Sequence, residues 1–247
     1  KKDIELRKKI AQMLILGFRG MELKSSNPIY NLITKENIGG VILFDYDSPS
    51  KKPERNIRNP EQLRKLCSEL QKVGGNRLFI SINQEGGKIN PLKEAYGFPP
   101  TASQEFLGDN NKLKLTSQWA ARSASTLKSL GFNLNFVPCV DLKINPDCAI
   151  IGKMERSFSS DPKIVIANAR VVLEEYKKQG IITSIKHFPG YGSSTSETHN
   201  GILDITKTYS ENELIPFKEL ISEDLVDIVM TANVFNSNFD ENYPATM

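Results

Sequence analysis

The sequence alternates short apolar runs with amphipathic segments of helical period, and this alternation restricts the chain to a few folds. Six runs are rich in aliphatic and β-branched residues: 14–18, 40–44, 78–83, 134–141, 181–187 and 226–231. Three segments place apolar residues three or four positions apart, as in a helix that packs along one face: 61–73, 115–130 and 163–179. Because strands that alternate with helices pair in parallel, the pattern predicts an α/β protein with a parallel sheet.

Polar residues stand at or just after the end of each predicted strand after the first: Asp45, Asn83, Glu85, Asp141, Lys186, His187 and Asn233. In a (β/α)8 barrel the carboxyl ends of all strands meet at one mouth, so these side chains would share a single pocket. A doubly wound nucleotide-binding sheet is the alternative, but it needs a glycine fingerprint. The lone Gly190-Tyr191-Gly192 has neither a third glycine nor a phosphate-loop lysine. We therefore predict a TIM barrel.

The predicted barrel is incomplete, because the sequence contains about six strand–helix units and a closed barrel needs about eight. We expect residues 1–247 to form a single catalytic-type barrel domain that lacks strands 7 and 8 at its C-terminal end. An open parallel sheet exposes unpaired edges. We therefore expect the remainder of the same chain, or a second chain, to complete the barrel.

The composition argues against several classes of function. The 32 basic and 29 acidic residues give a net charge of +3 and are scattered, which does not indicate nucleic-acid binding. No run reaches the ~18–20 apolar residues of a membrane span. The three cysteines and two histidines have no zinc-ligand spacing, so we expect no metal and no other cofactor.

Both histidines of the chain stand at the ends of one segment, KHFPGYGSSTSETH, which runs from Lys186 to His199. Histidine changes protonation near neutral pH, so a loop that presents one could deliver a proton to a substrate. We expect KHFPG to be fixed at the end of a strand and residues 192–199 to form a loop that moves. The alternative is an ordinary polar surface loop.

Seven stretches of the sequence follow one another in order: IGGVILF, INQEGGK, GFNLNFVPCVD, ERSF, KHFPGYG, ETH and VMTANV. In these stretches the chain resembles the N-terminal barrel domain of family 3 glycoside hydrolases, and most of all the bacterial β-N-acetylglucosaminidases. The resemblance implies a retaining hydrolase that removes β-linked N-acetylglucosamine from peptidoglycan-derived or related glycans. A bacterial protein that opens with Lys1 is compatible with a cytoplasmic, periplasmic or exported location, so the compartment is left open.

The resemblance also implies site residues. In the family the acid/base is a histidine on the loop after strand five, with an acidic residue two positions earlier, which here are His199 and Glu197. Residues i and i+2 of an extended segment point the same way, so the carboxylate could hold one imidazole nitrogen while the other faces the substrate. The alternative for this pair is an exposed ion pair.

Four further residues fall on positions that bind the sugar in the family: Asn83, Arg156, Lys186 and His187. Charged donors suit hydroxyl recognition, since each such bond is worth about 1.5–3 kcal/mol when desolvated. Asn83 replaces the usual aspartate and loses its charge. Lys186 could instead extend to solvent along an apolar surface, and His187 could be a hydrogen-bonded core histidine.

The nucleophile that the resemblance implies is an aspartate after strand seven, beyond Met247, and none of Asp45, Glu85 or Asp141 matches its motif. We therefore expect the chain alone to have little activity. Two alternatives stay open: a catalytically weakened barrel that binds glycans or cell-wall fragments, and a family 3 β-glycosidase or phosphorylase of other sugar specificity.

Overall fold

The computed structural model describes residues 2–195 and 202–247, except for the side chains of residues 2 and 3. The chain divides into two compact units. The first comprises Lys1–Asn83, Pro91–Pro100 and Ser125–Asn135, and the second comprises Gln84–Asn90, Thr101–Ala124 and Phe136–Met247. The single domain expected from the sequence stays a prediction.

A four-stranded parallel sheet forms the centre of the first unit. Its strands, numbered in chain order, are β1 Ile15–Gly17, β2 Gly40–Ile42, β3 Phe79–Ile82 and β4 Leu134–Asn135, and each pairs with the next. A Cβ atom at Gly40 would lie only 2.7 Å from the Phe79 Cβ atom, so the close approach of β2 to β3 requires glycine.

The helices of the first unit are Lys2–Gln12, Pro28–Asn31 with the π-helical turn Leu32–Glu36, and Pro60–Val73, which contacts β3. The last of these begins where the side chain of Asn59 accepts a hydrogen bond of 2.9 Å from Gln62 N, as an N-cap does. Four residues of its apolar face are fully buried, namely Leu63, Leu66, Cys67 and Leu70. The unit also contains the 3-10 turn Glu94–Tyr96 and a short antiparallel pair, Tyr46–Asp47 with Lys52–Pro53.

The second unit contains two further parallel strands, β5 Ile182–Phe188 and β6 Ile228–Thr231. Its helices are Gln104–Asn110, Pro162–Lys178 and Ile215–Ser222, with the 3-10 turn Glu211–Leu214, and Leu113–Leu130 has residues in both units. A short parallel pair joins Leu203–Asp204 to Val234–Phe235. No helix among the described residues has the length and apolar character required to cross a membrane.

The six predicted strands and the three predicted helices all occur near their predicted positions, but the fourth strand is much shorter than expected. Residues 134–141 were predicted, and only Leu134–Asn135 are paired as a strand. Pro138 has no N–H group to donate to a ladder. The Gln104 side chain then takes both backbone groups of Cys139, accepting from its N at 3.0 Å and donating to its O at 2.7 Å.

Candidate active site

The end of β5 places two cationic or titratable side chains in the interior of the second unit. Lys186 is 1% exposed and His187 is 9% exposed. The strand is built from residues that favour extended backbone, such as Ile182, Thr183 and Ile185. Because Lys186 is buried, the alternative in which its ammonium group extends to solvent is wrong.

Glu85 is the centre of a buried ion cluster. Its Oε2 accepts from Arg156 Nε and its Oε1 from Arg156 Nη2, both at 2.8 Å, which is the bidentate geometry of an arginine–carboxylate pair. The ammonium of Lys186 contacts the same Oε1 atom. The Glu85 side chain is only 2% exposed, so one carboxylate compensates two cations away from solvent.

The charges of this cluster determine its protonation. Burial opposes ionisation of Glu85, but the Lys186 and Arg156 charges outweigh it and lower the pKa of Glu85 to about 2. Burial also opposes the charge on Arg156, but the Glu85 carboxylate raises the pKa of that guanidinium. At neutral pH the structure therefore holds an ionised Glu85 against charged donors.

Asp141 fixes the orientation of His187. The carboxylate is fully buried, and its Oδ2 atom lies 2.7 Å from His187 Nδ1 and accepts from His187 N at 3.1 Å. Its other oxygen, Oδ1, accepts from Tyr191 N at 3.1 Å. Asp141 thus holds both the imidazole ring and the backbone on each side of Pro189, as expected of a buttressing residue.

The tautomer of His187 follows from its second partner. Arg156 Nη2 lies 2.9 Å from His187 Nε2, and a guanidinium can only donate, so Nε2 accepts and the proton is on Nδ1, facing Asp141. Burial lowers the pKa of His187, and the Asp141 charge only partly opposes this. His187 is therefore a neutral residue with a hydrogen bond at each ring nitrogen.

Three residues of this region offer metal-ligating atoms within 4.8 Å of one another: Cys139, Asp141 and His187. These atoms already bond to one another, because Cys139 Sγ donates to Asp141 Oδ2 at 3.0 Å and His187 Nδ1 contacts the same oxygen. The charge of Arg156 also lies beside the imidazole. The arrangement favours an internal hydrogen-bond network over a cation site, and the absence of a metal stays a prediction.

The structure brings three of the six predicted site residues together, namely Arg156, Lys186 and His187. Asn83 follows β3 at the boundary of the first unit. Glu197 and His199 lie outside the described residues. Glu85 is not one of these six residues, although it stands just after β3 among the polar residues that the sequence predicts to share a pocket.

The loop that follows β5 is held in place over more residues than the sequence predicts. Residues 192–194 are buried. Asn145 N donates to Gly192 O at 3.0 Å, and Asn145 Nδ2 donates to Ser194 O at 2.7 Å. Tyr209 Oη also donates to Pro189 O at 2.8 Å. These contacts favour a fixed position for Gly192, Ser193 and Ser194, while the mobility predicted for residues 192–199 stays a prediction, and residues 196–199 are outside the described part of the chain.

Asp141→Asn should destabilise the protein, because its amide accepts through one oxygen only and leaves the buried N–H groups of either His187 or Tyr191 without an acceptor. An orphaned buried donor costs about 1–3 kcal/mol, so we expect a loss of at least that size in the free energy of unfolding. Urea unfolding at pH 7 measures it, with Asp147→Asn, exposed in the following segment, as the control. Equal stability of the two variants would contradict a buttressing function.

Comparisons with known proteins show the family to which the chain belongs. Residues 5–247 match the glycosyl hydrolase family 3 N terminal domain. A β-hexosaminidase of Photobacterium profundum is 31% identical over 229 residues, which cover 92% of this chain and 64% of that protein. A solved family 3 β-N-acetylglucosaminidase from Paenibacillus sp. is 30% identical, with a TM-score of 0.84 over 97% of this chain and 44% of that one.

A second solved structure, NagZ from Neisseria gonorrhoeae in complex with N-trifluoroacetyl-D-glucosamine, is 26% identical with a TM-score of 0.80, covering 94% of this chain and 66% of that one. The chain therefore belongs to the glycosyl hydrolase family 3 N-terminal domain family. The predicted fold class, an α/β barrel of the (β/α)8 type of which six parallel strands are present, is confirmed. The chain spans about 62–64% of the length of the β-hexosaminidases from Photobacterium profundum and Haemophilus influenzae.

Proposed function

We propose that the protein containing this chain hydrolyses β-linked N-acetylglucosaminides with retention of configuration, and that its substrates are peptidoglycan-derived or related glycans. The observation that carries the proposal is the buried cluster of Glu85, Arg156, Lys186 and His187 in a chain of this family. The names of the relatives support N-acetylglucosamine as the sugar that is removed. They are a β-hexosaminidase, a β-N-acetylglucosaminidase, and a NagZ in complex with a glucosamine derivative.

The cluster suits recognition of a neutral sugar, because it supplies strong donors without a net charge. Glu85 and Asp141 balance Arg156 and Lys186, and His187 is neutral. Glu85 fixes the positions of the guanidinium and the ammonium before substrate arrives. Donors that are already oriented lose little freedom on binding, so hydrogen bonds to sugar hydroxyls add more to affinity.

The chemistry requires a proton donor and a nucleophile. In a retaining hydrolase one group protonates the departing oxygen while a carboxylate bonds to the anomeric carbon, and the first group then takes a proton from the water that releases the sugar. We assign the proton transfers to His199, held by Glu197, both outside the described residues. None of the described carboxylates is assigned as the nucleophile, because none matches the family motif. Glu85 is ion-paired with Arg156, and Asp141 accepts hydrogen bonds from His187 and Tyr191.

Nitrophenyl glycosides test the proposal on the full-length protein. We expect 4-nitrophenyl N-acetyl-β-glucosaminide to react with a kcat/KM at least about 100-fold above that of the β-glucoside, because a site that bonds the acetamido group rejects a sugar without it. Proton NMR should show the β-anomer as the first product, and added phosphate should not change the rate. Formation of a sugar phosphate would indicate a phosphorylase. Binding of N-acetylglucosamine oligomers without turnover would indicate a glycan-binding barrel.

A further inference from the structure

A buried carboxylate outside the ion cluster contacts the loop that follows β5. Glu213 lies on the 3-10 turn Glu211–Leu214 and is fully buried. Its Oε2 atom accepts from Gly192 N at 2.7 Å, and its Oε1 atom accepts from Ser193 Oγ at 2.6 Å. Two charge-assisted bonds therefore run from one turn to two consecutive residues of the loop.

The backbone of this loop fits closely around the carboxylate. A Cβ atom at Gly190, where φ is +102°, would lie 2.6 Å from the Glu213 Cβ atom, and one at Gly192 would lie 1.7 Å from Leu142 O. A larger side chain would collide with Glu213 at the first position and with the Leu142 backbone at the second. The two glycines of the G-Y-G stretch thus serve the contact with Glu213 and Leu142 instead of a nucleotide phosphate.

The chain continues from this anchored stretch to the two residues assigned to proton transfer. Ser193 precedes Glu197 by four positions. Four extended residues span at most ~14 Å at ~3.5 Å each, so only a short length of chain separates Ser193 from Glu197. A shift of about 1 Å in a catalytic group can cost about 100-fold in rate. An anchor at Gly192 and Ser193 therefore fixes the point from which the chain continues to the dyad.

We propose that Glu213 is a positioning residue for catalysis, which holds Gly192 and Ser193 so that His199 and Glu197 reach the leaving oxygen of the glycoside. This inference rests on the proposed function of those two residues. Glu213 does not touch substrate in this assignment. It acts through the loop.

Ionisation of the buried Glu213 lowers the free energy of unfolding. An effect of Glu213 on catalysis can therefore be distinguished from an effect on stability. Burial raises the pKa of Glu213 to about 7, although its hydrogen bonds to Ser193 and Gly192 oppose the shift, and the nearby Asp141 charge adds to it. Tyr209 is a further titratable group that interacts with Glu213. Because the folded pKa lies above the ordinary value of 4.5, this group's contribution to stability is complete below pH 4.5 and is lost as pH rises through about 7.

The variant Glu213→Gln keeps the shape of the side chain, removes the buried charge and leaves only one accepting atom. We expect kcat/KM for methyl N-acetyl-β-glucosaminide, which has a poor leaving group, to fall by about 10- to 100-fold. The value for the 4-nitrophenyl glycoside, which needs little proton assistance, should change less than about threefold. At pH 8 thermal unfolding should show only a small change in stability, because removal of the buried charge offsets the cost of the acceptor that is lost. Glu211→Gln, exposed on the same turn, is the matched control and should change neither quantity.

The outcomes separate this inference from the proposed function. Suppose that His199→Ala shows the leaving-group dependence while Glu213→Gln lowers kcat/KM equally for both substrates, or for neither. That result would overturn the positioning function of Glu213 and leave the proposed function intact. If His199→Ala itself shows none, the assignment of the acid fails first. Should Glu213→Gln not fold, Ser193→Ala removes one of the two bonds, and we expect a loss of about 2- to 10-fold confined to the poor leaving group. An unchanged Ser193→Ala variant would then overturn the inference.

Discussion

His199→Ala should lower kcat/KM for methyl N-acetyl-β-glucosaminide by about 10²- to 10⁴-fold in the full-length protein, because the departing alkoxide then leaves without a proton. The loss should be smallest for the 4-nitrophenyl glycoside, whose leaving group is stable as an anion. Release of the sugar from the enzyme also needs the imidazole as a base, so a burst of nitrophenol followed by slow turnover is expected. Stopped-flow absorbance measures the burst, and steady-state rates measure the rest.

Thr195→Ala is the matched control for this experiment, since Thr195 is an exposed residue of the same segment. It should retain the activity of the parent protein with both substrates. Glu197→Gln should give the same leaving-group pattern as His199→Ala with a smaller amplitude, because it leaves the imidazole in place but removes the carboxylate that orients it. A His199→Ala variant that hydrolyses the methyl glycoside as fast as the parent protein would exclude His199 as the acid.

The elements of the fold could be predicted from the sequence because their signals are local. The helix Pro60–Val73 is indicated by its apolar spacing and by Asn59 and Pro60 at its start, and all of these lie within one stretch. The fourth strand was predicted too long because the competing interaction is not local. The Gln104 side chain that takes the backbone groups of Cys139 lies 35 positions earlier.

The organisation of the site could be predicted only in part, because its contacts join residues that are far apart in the sequence. Family motifs pointed to Arg156, Lys186 and His187 one by one. They did not show that a single carboxylate fixes two of them, because the Glu85–Arg156 contact joins residues 71 positions apart. The anchoring of Ser193 by Glu213 spans 20 positions and carries no motif of its own. A Gly/Ser-rich stretch looks mobile in the sequence when the group that holds it comes later in the chain.

Glu85→Gln should be the most destabilising single change in the candidate site, because it leaves the buried cations Arg156 and Lys186 without their carboxylate. Breaking a buried ion pair by removing one partner costs about 3–5 kcal/mol, so we expect a decrease of that size in the free energy of unfolding at pH 7. The pH dependence follows from the pKa of Glu85, lowered from 4.5 to about 2. Its stabilising contribution is complete above pH 4.5 and is lost as pH falls through about 2, so the two proteins should converge in acid.

Urea unfolding of both proteins at several pH values tests this expectation, with Glu155→Gln as the control. Glu155 pairs with Lys88 at 2.7 Å on the surface of the same unit, where removal of one charge should cost at most about 1 kcal/mol. A second variant, Glu85→Gln with Lys186→Met, removes the uncompensated ammonium and should recover part of the lost stability, because the penalty arises from an unpaired buried charge. Two results would contradict this expectation: a double variant less stable than the single one by the full cost of losing Lys186, or a Glu85→Gln variant that loses no more stability than Glu155→Gln. Either result would mean that charge does not hold the cluster together. The preorganised donors assigned to sugar binding would then lose their physical basis.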